Sequence, residues 1–312
     1  MFKFIKNKYN IDDLAEIKLS NNVTKINSKD NTYIVKKVIS DDLETLFTRL
    51  YLSHVDNFNL PLRGNNNKYV QIENDSYYIL YKYYHDEKIL GYDLKLSFYV
   101  KKIAELHKKT YININSNDNY LESILNYLDD KIKELSSILN SRMEVEERKD
   151  YHSSNNWYFL LHYQKMMNSL MEASNHVLNL ENEVKNQKNM RLCLTYQNFD
   201  FEHILLKQEK IISIENIGFN LASLDIYNLI SKLNINYLNV APYINEYLKI
   251  NPLNNYEKEY LMAMLYIFDY HRYNDIQEDL NHLIKINSYL DKVLSLDNEV
   301  IFSSIDTEQK WL

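Results

Sequence analysis

Residues 192–230 read LCLTYQNFDFEHILLKQEKIISIENIGFNLASLDIYNLI, and the order of patterns in this stretch decides the fold. RLCLTY (191–196) and KIISI (210–214) are short runs rich in β-branched, aromatic and apolar residues, which is how strands read. Between them lies a polar loop carrying Asn198, Asp200, Glu202 and His203. From Leu224 onward the apolar residues return at helical spacing. A β-hairpin therefore interrupts a region that is helical on both sides.

Working outward, the helical side begins near residue 90. Leu96, Tyr99, Ile103 and Leu106 recur at steps of three and four, and Leu121, Ile124, Leu125, Leu128, Ile132, Leu135, Ile138 and Leu139 form a longer stripe. A third stripe runs through Trp157, Leu160, Leu161, Met167, Leu170, Met171, Val177 and Leu178. All three are expected to face a core. The charge-rich MEVEERKD (143–150) reads as a solvated connector between the second and third.

Toward the N-terminus the period is two. VTKIN (23–27), a turn at 28–31 and TYIVKKVI (32–39) form one hairpin, and KYVQI (68–72), a turn at 73–76 and YYILYKYY (77–84) form another. Between them Leu43, Leu46, Phe47 and Leu50 mark a helix whose start is favoured by Asp41 and Asp42. The expectation is an α+β, bilobal, protein-kinase-like chain. It is a single domain over 1–312, with a small β-rich N-lobe over 1–85 and a large helical C-lobe over 86–312 that holds the hairpin of 192–216.

Composition excludes other classes. Gly64, Gly91 and Gly218 are the only glycines, so no Gly-rich phosphate cradle of the dinucleotide or P-loop type exists. A net charge of −7 without a basic stripe argues against nucleic acid as a partner. Cys193 is the single cysteine and cannot close an internal disulfide, which implies a reducing compartment and cytoplasmic synthesis. No uncharged apolar run approaches the roughly 18 residues that span a bilayer, and MFKFIKNKYN lacks the apolar core of a signal peptide. The 28 tyrosines read as compositional drift alongside Asn, Lys and Ile, or as groups for assembly in a structural layer.

The stretch at 192–230 resembles the aminoglycoside-phosphotransferase and choline-kinase pattern, in which HGDxxxxNIL precedes IDF or IDW and a helix start of the DL type. More specifically it is similar to the spore-coat CotS family, with CHxDFxxxNLL, IDxD and a segment IDLPxRDL that here reads IGFNLASLDI (217–226). TYIVKK resembles that family's YxLK strand, and IAELHKK (103–109) its LAxLHK helix. INEYLKINPLNNYEKEYLMAML (244–265) resembles its C-terminal part, with a turn at Pro252-Leu253 and an acidic helix start at Glu257.

The resemblance implies site residues, most of them altered here. The place of the catalytic aspartate is held by Asn198, which cannot accept a proton as a general base. The histidine two residues before it is Tyr196, and the metal-binding asparagine is His203. Glu215 takes the place of the metal-binding aspartate, one methylene longer. Lys36 falls at the phosphate-pairing lysine, Ile34 at the residue under the adenine, and Glu44 at the helix carboxylate that pairs with the lysine. Lys36 also reads as an ordinary strand lysine beside Lys37, and Glu44 as a solvated glutamate at a helix start. Asp225 is the one intact acid of the pattern, suited to capping the next helix. His107 reads as a hydrogen-bonded structural residue and Cys193 as a buried, inert one.

Three functions follow. The first is a catalytically inactive kinase-like protein, a spore-coat or spore-assembly component that binds other coat or sporulation proteins at the forespore surface and needs no cofactor. The second is an active phosphotransferase using ATP and magnesium on a sugar or amino alcohol. The third is a ligand-binding protein that uses the former nucleotide cleft. A transition-metal site of Asp200, Glu202, His203 and Glu215 is a further alternative.

Overall fold

The computed structural model describes residues 2–29, 31–85, 91–115, 119–187, 189–233 and 239–297. In chain order the elements are α1 (Phe2–Tyr9), β1 (Asp13–Lys18), β2 (Val23–Ser28), β3 (Thr32–Val38), α2 (Leu43–Leu52), β4 (Gln71–Glu73), β5 (Ser76–Lys82) and α3 (Tyr92–Thr110). Then follow β6 (Ile112–Asn115), α4 (Asn119–Glu147), α5 (Ser154–Asn186), β7 (Asn189–Thr195), a 3-10 turn (Phe201–His203), β8 (Ile204–Leu205), β9 (Lys210–Ile211) and β10 (Gly218–Asn220). Four helices complete the described chain: α6 (Ser223–Lys232), α7 (Ala241–Ile250), α8 (Asn255–Tyr266) and α9 (Ile276–Leu296). Asp30 of the first hairpin turn and the helical reading beyond 297 lie outside the described residues. The chain divides into two compact units, Met1–Tyr111 with Cys193–Asn220, and Ile112–Leu192 with Leu221–Leu312.

The first unit is built on an antiparallel five-stranded sheet in the order β1-β2-β3-β5-β4. Both hairpins expected from the period-two runs are present, β2 with β3 and β4 with β5, β4 being shorter than KYVQI. Strand geometry sends alternate residues to opposite faces. Val35 and its partner Leu80 face one way, into a cluster with Ile26 and with Phe4 and Ile5 of α1. Ile34 and Lys36 face the other way, opposite Tyr81 and Ile79. The β1 strand and α1 were not anticipated: α1 is a short helix that buries only Phe4 and Ile5, too few positions for a period to emerge from sequence. Beyond residue 85 this unit takes in α3 and residues 193–220. There β10 pairs with the second half of β7, and β8 with β9, so the expected hairpin of RLCLTY with KIISI does not form: the two runs lie in different sheets, and KIISI is ladder-paired only at Lys210 and Ile211, to the short strand just before it.

The second unit is helical, with β6 pairing the first half of β7. Its centre is α5, which packs on α4, α8 and α9. The buried row of α5 is Phe159, Met166, Leu170, Ala173, Val177, Leu180 and Val184, at steps of seven, four and three. Of the expected stripe, Leu170 and Val177 are buried, whereas Trp157, Leu161, Met171 and Leu178 are exposed. The expected stripe mixed two apolar rows of one helix. Which row is covered depends on where partner helices lie, and periodicity does not report that. The expected connector MEVEERKD is corrected as well: α4 continues to Glu147, and Glu146 is fully buried against Lys149 and Arg272.

A second buried charge sits nearby. Arg142 of α4 donates to both carboxylate oxygens of Asp279 on α9 at 2.6 and 3.3 Å, to Asn156 and to the Tyr270 hydroxyl, while Asn155 donates to Asp279. Every oxygen of Asp279 is thus engaged, which is the condition under which a buried ion pair is tolerated.

Glycine scarcity leaves a mark on the backbone. Among the described residues eight non-glycine positions have positive φ: Asn10, His54, Asn67, Asn74, Asp75, Gln197, Glu209 and Ser213. Three of them, Gln197, Glu209 and Ser213, lie in the stretch quoted at the outset.

Candidate functional site

Lys36 stands on β3 with its ammonium over the Tyr81 ring, 5.6 Å from the centroid. The ammonium makes a 2.7 Å ion pair with Glu215 and donates to the Ser213 hydroxyl at 3.1 Å. Both partners are largely shielded, at 21% and 17% side-chain exposure, so the pair is held in a poorly screened setting. Tyr81 is buried, and its phenol is pushed well above the ordinary range by burial first and by the Glu215 carboxylate second, which keeps it protonated.

The polar loop closes against this centre. The Asn198 amide donates to the Ser213 carbonyl at 2.9 Å. Tyr196 is fully buried, with its ring near Tyr99 and Phe58, and its hydroxyl donates to the Ile212 carbonyl at 2.6 Å. His203 Nδ1 lies 2.9 Å from the Asn198 carbonyl and 3.2 Å from the Tyr196 oxygen. A carbonyl only accepts, and the Tyr196 proton is already given to Ile212, so Nδ1 carries a hydrogen. Asp200 accepts the Glu202 backbone N–H at 2.8 Å and starts the 3-10 turn. Lys95 of α3 reaches the Phe201 carbonyl at 2.8 Å. The loop is tied at each step to its own backbone or to α3.

The structure brings together Lys36, Glu215, Asn198, Tyr196 and His203, and it separates others. Glu44 does not pair with Lys36: its Oε2 accepts the backbone N–H groups of Tyr69 and Val70, both at 2.8 Å, so it anchors the segment entering β4. The lysine takes Glu215 instead. Ile34 lies on the Lys36 face, paired with Tyr81. Asp225 is buried in the first turn of α6, as its third residue and not as the cap, which is Ala222. His107 and Cys193 are buried.

Ser213 is the site residue that the sequence reading passed over. The IDF step of the resembled pattern can be laid on Ile212-Ser213-Ile214 as readily as on Ile214-Glu215-Asn216, and that second registration was the available signal.

The donors present do not fit magnesium. Octahedral oxygen coordination asks for carboxylates. Here Glu215 is committed to Lys36, Ser213 is a neutral hydroxyl, and the remaining positions offer an amide and an imidazole. Asp200, Glu202, His203 and Glu215 do not converge either; among the described residues no group of three His, Cys, Asp or Glu is placed to hold a metal ion. Also among the described residues, no helix is long and apolar enough to cross a membrane.

No family model and no curated protein sequence matches the chain. Solved structures do match its fold. An aminoglycoside phosphotransferase from Alicyclobacillus acidocaldarius aligns over 96% of this chain and 95% of its own, with a TM-score of 0.70 at 12% identity. An AMP-bound spectinomycin phosphotransferase aligns over 93% of each chain, with a TM-score of 0.52 at 14% identity. A microcompartment-associated aminopropanol kinase aligns over 95% of this chain and 97% of its own, with a TM-score of 0.51 at 11% identity. The fold is therefore kinase-like and α+β.

Proposed function

We propose that this chain is a kinase-fold protein without phosphotransferase activity, acting by binding other proteins in the spore-coat setting that its resemblance to the CotS family implies. The observation that carries this reading is the use made of Asn198. Where the resembled pattern has a general base, this residue is a hydrogen-bond donor to the Ser213 carbonyl. A carboxylate there would set an acceptor against an acceptor and would leave the carbonyl unpaired. The substitution is thus built into the loop. The ion pair of Lys36 with Glu215 supports the same reading, because it engages the carboxylate that stands where the resembled pattern binds its metal.

The test is thermal unfolding and phosphoryl transfer with ATP and magnesium, using sugars and amino alcohols as acceptors. The expected result is no magnesium-dependent shift in Tm and no transfer. A shift of several degrees, with turnover that is lost in Glu215→Ala, overturns the proposal.

A further inference from the structure

Helix α5 carries two rows of side chains on opposite sides. The row from Phe159 to Val184 is buried, and with it the helix packs on α4, α8 and α9. The other row starts at Trp157 and returns at alternating steps of four and three as far as Asn182, and each of its eight members is exposed. Trp157, Leu161, Met171 and Leu178 are its apolar members, each more than half exposed. Its remaining members are the amides Gln164, Asn168, Asn175 and Asn182. Steps of four and three sustained in this way are the spacing of a coiled-coil seam. In a chain with 25% charged residues, this row carries no charge over its whole length, so covering it strips no ion of water.

We propose that this row is the contact face for a second copy of the chain, the two α5 helices lying parallel and in register about a two-fold axis. A second copy is the partner that the order of residues along the row fits. About such an axis each residue meets its own mate. The four apolar members then meet apolar groups, and each asparagine meets an amide, which both donates and accepts. Asparagine at a seam position of this kind fixes the register of a parallel pair. Gln164 donates to Asn168 at 2.7 Å, so these two amides form one polar patch near the middle of the row. In an antiparallel pair the two kinds of seam position face each other, and every register with long overlap sets Trp157 against an asparagine.

The edges of the row agree with the parallel arrangement. Lys165 is held by Asp291 of α9 at 2.7 Å. In the pair it runs along the partner's Leu160, and Glu172 runs along the partner's Met167, both half-buried, so like charges do not meet across the seam. From Trp157 to Asn182 the strip is about 38 Å long and about 12 Å wide, and two of them enclose on the order of 900 Å². That area belongs to a weak, concentration-dependent pair and not to an obligate one. None of these residues belongs to the Lys36 centre, and the pairing stands whether or not the chain transfers phosphate.

Sedimentation velocity of the full chain from about 1 to about 200 µM reads the association, with monomer expected at the low end, dimer at the high end and a dissociation constant in the micromolar range. The double variant Met171→Glu with Leu178→Glu sets charges in the seam and is expected to weaken the dimer by at least about tenfold. Both positions are exposed, so an unchanged Tm is the control for folding. Orientation is read with Asn182→Cys. In the parallel pair the two new thiols lie side by side and are expected to form a disulfide-linked dimer under mild oxidation, whereas an antiparallel pair keeps them roughly 40 Å apart. Cys193 is buried, and the unsubstituted chain is the control for it. A chain that stays monomeric throughout, a dimer indifferent to the two glutamates, or a dimer that Asn182→Cys does not link overturns the proposal.

Discussion

Asn198 and His176 show how single side chains carry opposite obligations. Asn198→Asp removes the donor that meets the Ser213 carbonyl and is expected to destabilise the chain by about 1–3 kcal/mol, without conferring transfer activity. Urea unfolding and a transfer assay measure the two halves. His176 of α5 contacts Glu259 of α8 at 2.7 Å, lies 3.8 Å from Asp297 and stacks on Tyr266. Burial alone would lower its pKa, but the hydrogen bonds it donates to Asp297 and Glu259, and their charges, raise it to about 9. A raised folded value means the stabilisation is complete below the ordinary value of 6.5 and is lost as pH climbs through about 9. On the order of 2–3 kcal/mol should disappear between those limits. Melting curves from neutral to alkaline pH check it: wild type should lose stability relative to His176→Gln over that window, and parallel curves would contradict it.

At the scale of elements, α4, α5 and α9 are joined by charge as well as by apolar contact. Arg142→Met leaves Asp279 buried and unpaired and is expected to cost about 3–5 kcal/mol. The double change Arg142→Met with Asp279→Leu should restore much of that, since an apolar pair of similar size needs no compensation. Denaturant midpoints of the three variants decide it. The same elements show what sequence could convey. Hairpins announced themselves because period two needs only a few residues, and the capping box of Asn254 and Glu257 at the start of α8 was legible as an acidic start after Pro252. On α5 two apolar rows coexist, and the choice between them is made by neighbours distant in sequence. Glu146 looks solvated for the same reason: its partner Arg272 lies more than a hundred residues away.

For the molecule as a whole, both compact units are discontinuous in sequence. Residues 193–220 complete the unit that begins at residue 1, supplying the buried Leu194, Tyr196, Phe199, Ile204 and Ile211. A fragment of residues 1–115 is therefore expected to lack a cooperative unfolding transition although it contains the whole five-stranded sheet; a sharp transition in circular dichroism would refute this. The fold was readable because its segments keep an order of patterns that the backbone imposes. The centre at Lys36 was only partly readable. Lys36, Asn198 and Glu215 come from the resemblance to the phosphotransferase and CotS patterns, but Ser213 contributes through a loop conformation and Glu44 through backbone groups, neither of which leaves a sequence period. The tyrosines belong to this scale too: among the described residues Tyr51, Tyr92, Tyr127, Tyr151 and Tyr273 are exposed, nine are buried and the others are half-buried, so the type is spread from core to surface.

The eight left-handed positions carry an implication for engineering. Asn10, His54, Asn67, Asn74 and Asp75 are residue types that adopt this conformation more readily, but Gln197, Glu209 and Ser213 are not helped in the same way and hold roughly 1–2 kcal/mol of strain each. In a chain with three glycines this is unspent thermal tolerance. Glu209, outside the Lys36 centre, is where a glycine would release it, less the freedom that glycine adds to the unfolded chain.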